Sequence, residues 1–207
     1  MKHHKSTLTP IDPSAATPAQ EALFAKAKAA SQGSIPNMIK GMANSPPLLD
    51  AYLHGHALFR AQAGFNSVEQ EIIFLVLSLG NGCDYCVAAH SFMADTFSKV
   101  PTDVTEAIRY GEAIENEKFA ALAAMTRDML LRRGFADPDT VKHFFSVGYS
   151  ETHLLNLVLA VSIKTLTNYS NHLFQPEVDT IFKVREFTAF KATKRVISFF
   201  TPRSEVL

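Results

Sequence analysis

Cys83 and Cys86 are the only thiols in this 207-residue chain, and they lie close together, with His90 one helical turn further on and Glu71 upstream. The four residues form an E-x11-C-x2-C-x3-H pattern. On a helix, positions i and i+3 share a face and i+4 follows on it, so both thiols and the imidazole can converge. A free thiol titrates near 8.5, so only about 3% is thiolate at pH 7, and the thiolate is the nucleophile. Lowering that pKa by about two units takes roughly 2.7 kcal/mol of preference for the anion. A helix N-terminus typically supplies only about 0.3 to 1 kcal/mol. His90 is the natural supplement, as acceptor of the thiol proton and then as imidazolium partner, with Glu71 orienting it. With a second thiol in reach, a sulfenic acid on one sulfur condenses with the other to a disulfide, which an external thiol reduces.

Two plainer roles compete for the same residues. A structural disulfide over two intervening residues constrains the unfolded chain little, and such lone pairs belong to secreted proteins. A structural zinc site wants two ligand pairs, and the sequence has a single CxxC with one histidine on the same helix. The glycine-led helix start and the lone carboxylate entering an apolar helix favour thiol chemistry, with no metal and no organic cofactor.

Composition frames what surrounds the motif. Hydrophobic residues make up 47% of the chain and charged ones 19%, enough to build a sizeable interior within one domain. Acidic and basic residues balance at 20 each, so no long-range field draws nucleic acid or anionic lipid. The polar, proline-punctuated N-terminus has no apolar h-region, and no run is long enough to span a bilayer. The chain therefore reads as a soluble, cytoplasmic single domain over 1–207, with a loose arm over 1–18 and a C-terminal arm over 183–207.

Helical signals fill the rest. Ala19 to Ala30 is alanine-rich, Gly33 and Pro36 end it, and Ser45-Pro46-Pro47 starts a helix from Leu48 to about Ala63 that Gly64 stops. Ser67, with Gln70 three residues on, predicts a capping box for a helix that is apolar nearly all round. Gly80-Asn81-Gly82 breaks it, and Cys83 to about Phe97 resumes, with both thiols in the first turn. Further helices are expected over Pro101 to Ile114, Lys118 to Arg132, Pro138 to Phe145 and Glu151 to about Phe174, and strand signals are scarce. A shift of 82 residues lays Val68 to His90 over Ser150 to His172, matching His90 with His172, Glu71 with His153 and the cysteines with Thr165 and Asn168, an echo that suggests duplication.

These residues resemble the AhpD-like family of the carboxymuconolactone decarboxylase superfamily, whose motif Glu71, Cys83, Cys86 and His90 match position by position. Ile35 to Leu53 and Gly148 to His172 are similar to its peroxidase-related branch, so the likeness spans about Ile35 to Pro176. The resemblance implies an all-α, AhpD-like helical bundle with an internal helix repeat, a homo-oligomer (dimer, trimer or hexamer), and alkylhydroperoxidase or thiol–disulfide oxidoreductase activity. By the same carry-over Cys86 attacks, Cys83 resolves, and His90 and Glu71 relay protons. The substrate is then a small hydroperoxide and the partner an external thiol or dithiol reductant. Tyr85 stands where the family often has a second histidine. The alternatives are a carboxymuconolactone decarboxylase-type lactone enzyme, although that branch generally lacks the cysteine pair, and a non-catalytic metal-binding or oligomeric module.

The remaining candidates read as structure. His54 and His56 suit a helix surface or core, and Met38, Met42, Met93, Met125 and Met129 suit core gaps. Asn168, Asn171 and His172 either line a pocket opposite the thiols or hydrogen-bond neighbouring helices. The basic, phenylalanine-rich stretch from Lys183 to Arg203 is expected to pack against a neighbouring subunit rather than a membrane.

Overall fold

Helix α4 (Ser67–Gly80) is the axis of the protein. In the computed structural model of the chain it is buried from Glu69 to Leu79, as an element apolar on every side must be. The structure describes residues 4–31 and 33–186. Around α4 stand α1 (Pro18–Ala30), α2 (Asn37–Met42), α3 (Pro46–Gln62), α5 (Asp84–Met93), α6 (Thr102–Tyr110), α7 (Glu117–Leu131), α8 (Pro138–Ser146) and α9 (Glu151–Phe174). No strand occurs among the described residues, and the fold is an all-α bundle.

The main core joins α4 to α7 and α9 through Phe59, Phe74, Leu75, Leu77, Leu122, Met125 and Leu157, each fully enclosed. A second apolar cluster, with Leu23, Phe24, Ile39, Met42 and Leu49, seats α1 and α2 against α3. Gly55 permits close approach of α3 to α9, since a Cβ there would stand 3.3 Å from Ile163.

Local chemistry moves several boundaries. The cap of α4 is Asn66, not Ser67: its side chain accepts from the Glu69 amide at 3.0 Å while Glu69 accepts from the Asn66 amide at 3.0 Å. Glu69 forms this reciprocal box, and Gln70 turns instead to the carbonyls of Arg60 and Phe65. The helix expected up to Phe97 is regular only to Met93 and then widens into a π-turn over Ala94–Ser98. The one expected up to Ile114 stops at Tyr110, because Gly111 takes φ +69° and caps it in the left-handed conformation. Helix α2 has only six residues, too few to display a period, and the sequence reading passed over it. In the echo, α9 runs unbroken where Gly80-Asn81-Gly82 separates α4 from α5.

Both ends of the described chain lie on the bundle. Residues 4–17 are tied by Ser6 N–H to the Leu173 carbonyl and Ile11 N–H to that of Lys40. After α9, Gln175 reverses the chain at φ 49° and a strap crosses α5, ending in a 3-10 turn over Thr180–Arg185. Arg185 fastens it within its own chain by ion pairs to Asp95 and Glu106, and its carbonyl accepts from Arg109. Thus the start of the basic C-terminal stretch, residues 183–186, packs on α5 of its own chain; the rest of that stretch, residues 187–207, lies outside the described residues.

Candidate active site

The break between α4 and α5 sets the thiols. Gly82 takes φ +69°, and Cys83 follows in extended conformation as the N-cap of α5, its amide donating to the Ser78 carbonyl at 3.0 Å. Cys83 is therefore at the cap rather than inside the first turn, and Cys86 sits in that turn. Both are free thiols, each 2% exposed.

Helix α9 supplies what covers them. Asn171 Nδ2 donates to Cys86 Sγ at 3.3 Å and lies 3.7 Å from Cys83 Sγ, so one amide spans the pair. Asn168 is fully buried, its Oδ1 accepting from Asn81 at 2.9 Å, while its Nδ2 has no partner of ordinary hydrogen-bond geometry. Burial opposes ionisation of Cys86, but the Cys83 thiol, the charge of Lys164 and the amides of Asn168 and Asn171 outweigh it and bring its pKa below that of a free thiol. Donating to Cys86, and buried itself, Cys83 is pushed far up. The surroundings thus favour ionisation of Cys86 and oppose that of Cys83.

Glu71 is 1% exposed and fully engaged: Oε1 accepts from Arg60, Oε2 from His90 Nδ1 at 2.8 Å. Burial pushes its carboxyl up, and His90 and Arg60 more than reverse this, holding it at about 2. Because Glu71 accepts at Nδ1, that nitrogen carries the imidazole proton and Nε2 is left as an acceptor. Nε2 is occupied in turn by Lys164 Nζ, at 2.9 Å. Burial and the Lys164 charge lower the His90 pKa to about 4, so the ring is neutral at pH 7.

The sequence motif is thereby assembled, with one correction. Glu71 and His90 do pair, but His90 meets Lys164 where the sequence reading had it meet the thiol. Lys164 was missed. Its signal was there: in α9 the buried positions Leu157, Ala160, Lys164, Thr167 and Asn171 repeat with helical spacing, and a lysine in such a stripe is an anomaly. Of the lesser candidates, Met42, Met125 and Met129 are core, while Met38 packs on the thiols. His56 stacks on Phe74 and takes the Nε–H of Arg60, whereas His54 is exposed.

Tyr85, in place of a second histidine, points away from proton transfer and into the strap. Its hydroxyl donates to Asp179, whose carboxylate also accepts from the Asn37 amide at the start of α2. Beside this latch a cavity of about 800 Å³ opens to solvent, lined by Asn81, Cys83, Asp84, Asn171, His172 and Val178 among others. Cys83 forms part of its wall, and Cys86 lies behind. The described residues hold no cluster of three or more His, Cys, Asp or Glu side chains fit for a metal ion. No described helix is long and apolar enough to cross a membrane.

Residues 46–127 match the carboxymuconolactone decarboxylase family. All four motif residues fall inside this stretch, and Lys164, Asn168 and Asn171 fall outside it. No curated protein matches the chain. Among solved structures, the apo form of the debrominase Bmp8 is similar at 19% identity, TM-score 0.71, covering 92% of this chain and 98% of that one. A cysteine-to-alanine variant of Bmp8 in complex with 2,3,4-tribromopyrrole is similar at 19% identity, TM-score 0.69, covering 87% and 96%. An uncharacterized peroxidase-related protein from Ralstonia eutropha JMP134, described as an alkylhydroperoxidase AhpD core, is similar at 18% identity, TM-score 0.69, covering 87% and 96%. At these identities the likeness is one of fold.

Proposed function

We propose that the protein is an AhpD-like thiol oxidoreductase that reduces small organic hydroperoxides, with Cys86 as nucleophile and Cys83 as resolving thiol. The observation that carries this reading is the unequal pair of buried sulfurs under one amide, Asn171. The Cys86 thiolate attacks the terminal oxygen of the hydroperoxide and the O–O bond breaks. The alkoxide leaves and takes a proton from solvent, to which Cys86 released one on ionising, forming the alcohol. Cys86 is now a sulfenic acid, and the buried Nδ2 of Asn168, which favours the Cys86 anion, is a donor available to its oxygen. Cys83 attacks that sulfur, its proton and the hydroxyl leave as water, and a disulfide remains. An external dithiol arriving through the cavity then meets Cys83, the sulfur in its wall, and Cys86 departs as the more stable thiolate.

The decisive assay is consumption of cumene hydroperoxide by the reduced protein with a dithiol supplied. Turnover lost in Cys86→Ser, with a single equivalent of sulfenic acid trapped in Cys83→Ser, fits the proposal. Full turnover in Cys86→Ser removes it. A second reading is supported by the similarity to Bmp8 along nearly the whole of both chains: the same dithiol supplies two electrons, which reductive removal of a halogen from an electron-rich ring also consumes. Bromide release from a brominated pyrrole in the absence of peroxide reduction would favour it. A lactone decarboxylase would leave both thiols idle, so its activity would survive Cys86→Ser. The chain is further proposed to act as a cytoplasmic homo-oligomer.

A further inference from the structure

We propose that Lys164 is the positioning residue that sets the charge state of the thiol pair, and that His90 and Glu71 act through it rather than on Cys86 itself. The first ground is occupancy. An imidazole has two ring nitrogens; Nδ1 of His90 is committed to Glu71 and Nε2 to Lys164, at 2.8 and 2.9 Å, which leaves neither for a sulfur. The second is placement. Lys164 is 3% exposed and lies on α9 one turn before Asn168 and two before Asn171, the residue bonded to both sulfurs. The Arg60–Glu71–His90–Lys164 chain therefore runs from α3 through α4 and α5 to the face of α9 that covers the thiols.

The third ground is charge balance among the groups that face this spot. Helix α3 brings Arg60, with His56 and Tyr52; α4 brings Glu71; α5 brings His90, Tyr85 and the thiols; α9 brings Lys164. Tyr85 is taken up by Asp179 of the strap, outside this chain of contacts. The histidines and tyrosines being neutral at pH 7, Arg60 and Lys164 stand against Glu71 alone. One positive charge is left without its counterpart in a buried place, where imbalance is costly. A thiolate at Cys86 restores neutrality. Oxidation of the pair to a disulfide removes that anion, so Lys164 also favours the reduced form and makes the disulfide easier to reduce.

The inference concerns the same site as the proposed function, and its test needs no peroxide. Iodoacetamide alkylation of Cys86, followed against pH by peptide mapping, should inflect at least about one pKa unit higher in Lys164→Met, with a loss of about tenfold in rate at pH values below the wild-type inflection. Lys164→Arg should keep most of the wild-type profile. His90→Gln should raise the inflection in the wild-type background and add nothing in Lys164→Met, because a residue that works through Lys164 has no effect once it is gone. An unchanged inflection in Lys164→Met, or shifts that simply add in the double variant, would overturn the proposal. Should Lys164→Met not fold, ε-13C-labelled lysine in the wild-type protein replaces it: the Lys164 resonance should move between the dithiol and the disulfide, and an unmoved resonance refutes the role. A protein that reduces no hydroperoxide yet shows these shifts loses the proposed function and keeps the inference.

Discussion

Lys164 Nζ reaches His90 Nε2 across 2.9 Å, and this contact between α9 and α5 is the joint on which the site closes. It ties the motif-bearing half of the chain to a helix more than seventy positions later, and it fixes the imidazole proton on the side of Glu71.

The two thiols should titrate far apart. Cys86 is expected to alkylate with an inflection below that of a free thiol and Cys83 to stay protonated throughout the ordinary range, as read by differential labelling and mass spectrometry. Equal inflections near that of free cysteine would contradict the division of roles.

Asn171 serves both sulfurs, so its replacement should disturb both. Asn171→Asp keeps the shape and puts a second anion beside Cys86, and the Cys86 inflection should rise by about one unit or more; Asn171→Leu should raise it less. The alkylation profile distinguishes the two variants.

Acid should destabilise the fold in two stages. His90 and His56 have folded pKa values of about 4 and about 3, below the unfolded 6.5, so the unfolded chain binds protons first and stability falls from about pH 6.5 downwards. Glu71, at about 2 against an unfolded 4.5, contributes stability that is complete above pH 4.5 and is lost as pH falls towards 2, on the order of 3 kcal/mol. Urea titrations from pH 7 to 3 should show both, and Glu71→Gln should flatten the lower stage. That variant also leaves Arg60 and Lys164 without the buried carboxylate that offsets them and should cost about 3 kcal/mol or more at pH 7.

The strap should open when its latch is cut. Tyr85→Phe leaves Asp179 short of a donor and should cost about 1 kcal/mol, with faster hydrogen exchange in residues 177–185 and faster alkylation of both thiols at matched thiolate fraction. Unchanged exchange would mean that Arg185 holds the strap unaided.

The order of helices and the four motif residues were legible because their signals are local. Glu151–Phe174 announces itself by a serine cap and a long apolar period, and the CxxC by spacing alone. What remained hidden depends on partners distant in sequence. Nothing near Lys164 tells that it will face His90, and Tyr85 reads as a departure from a family pattern until Asp179, far downstream, gives it a bond. The Asn66 cap was missed by one position because Ser67 and Gln70 also fit the template; the tie was broken by Glu69, which Lys118 and Tyr149 hold from α7 and the turn before α9.

Since Lys164, Asn168 and Asn171 all emerge in translation long after Cys83 and Cys86, a nascent polypeptide carries its dithiol before the α9 groups on which the proposed role of the pair depends. On the proposed reading, the pair acquires its charge asymmetry only when the ninth helix docks, so an incomplete chain would carry its dithiol without the α9 side chains that cover it.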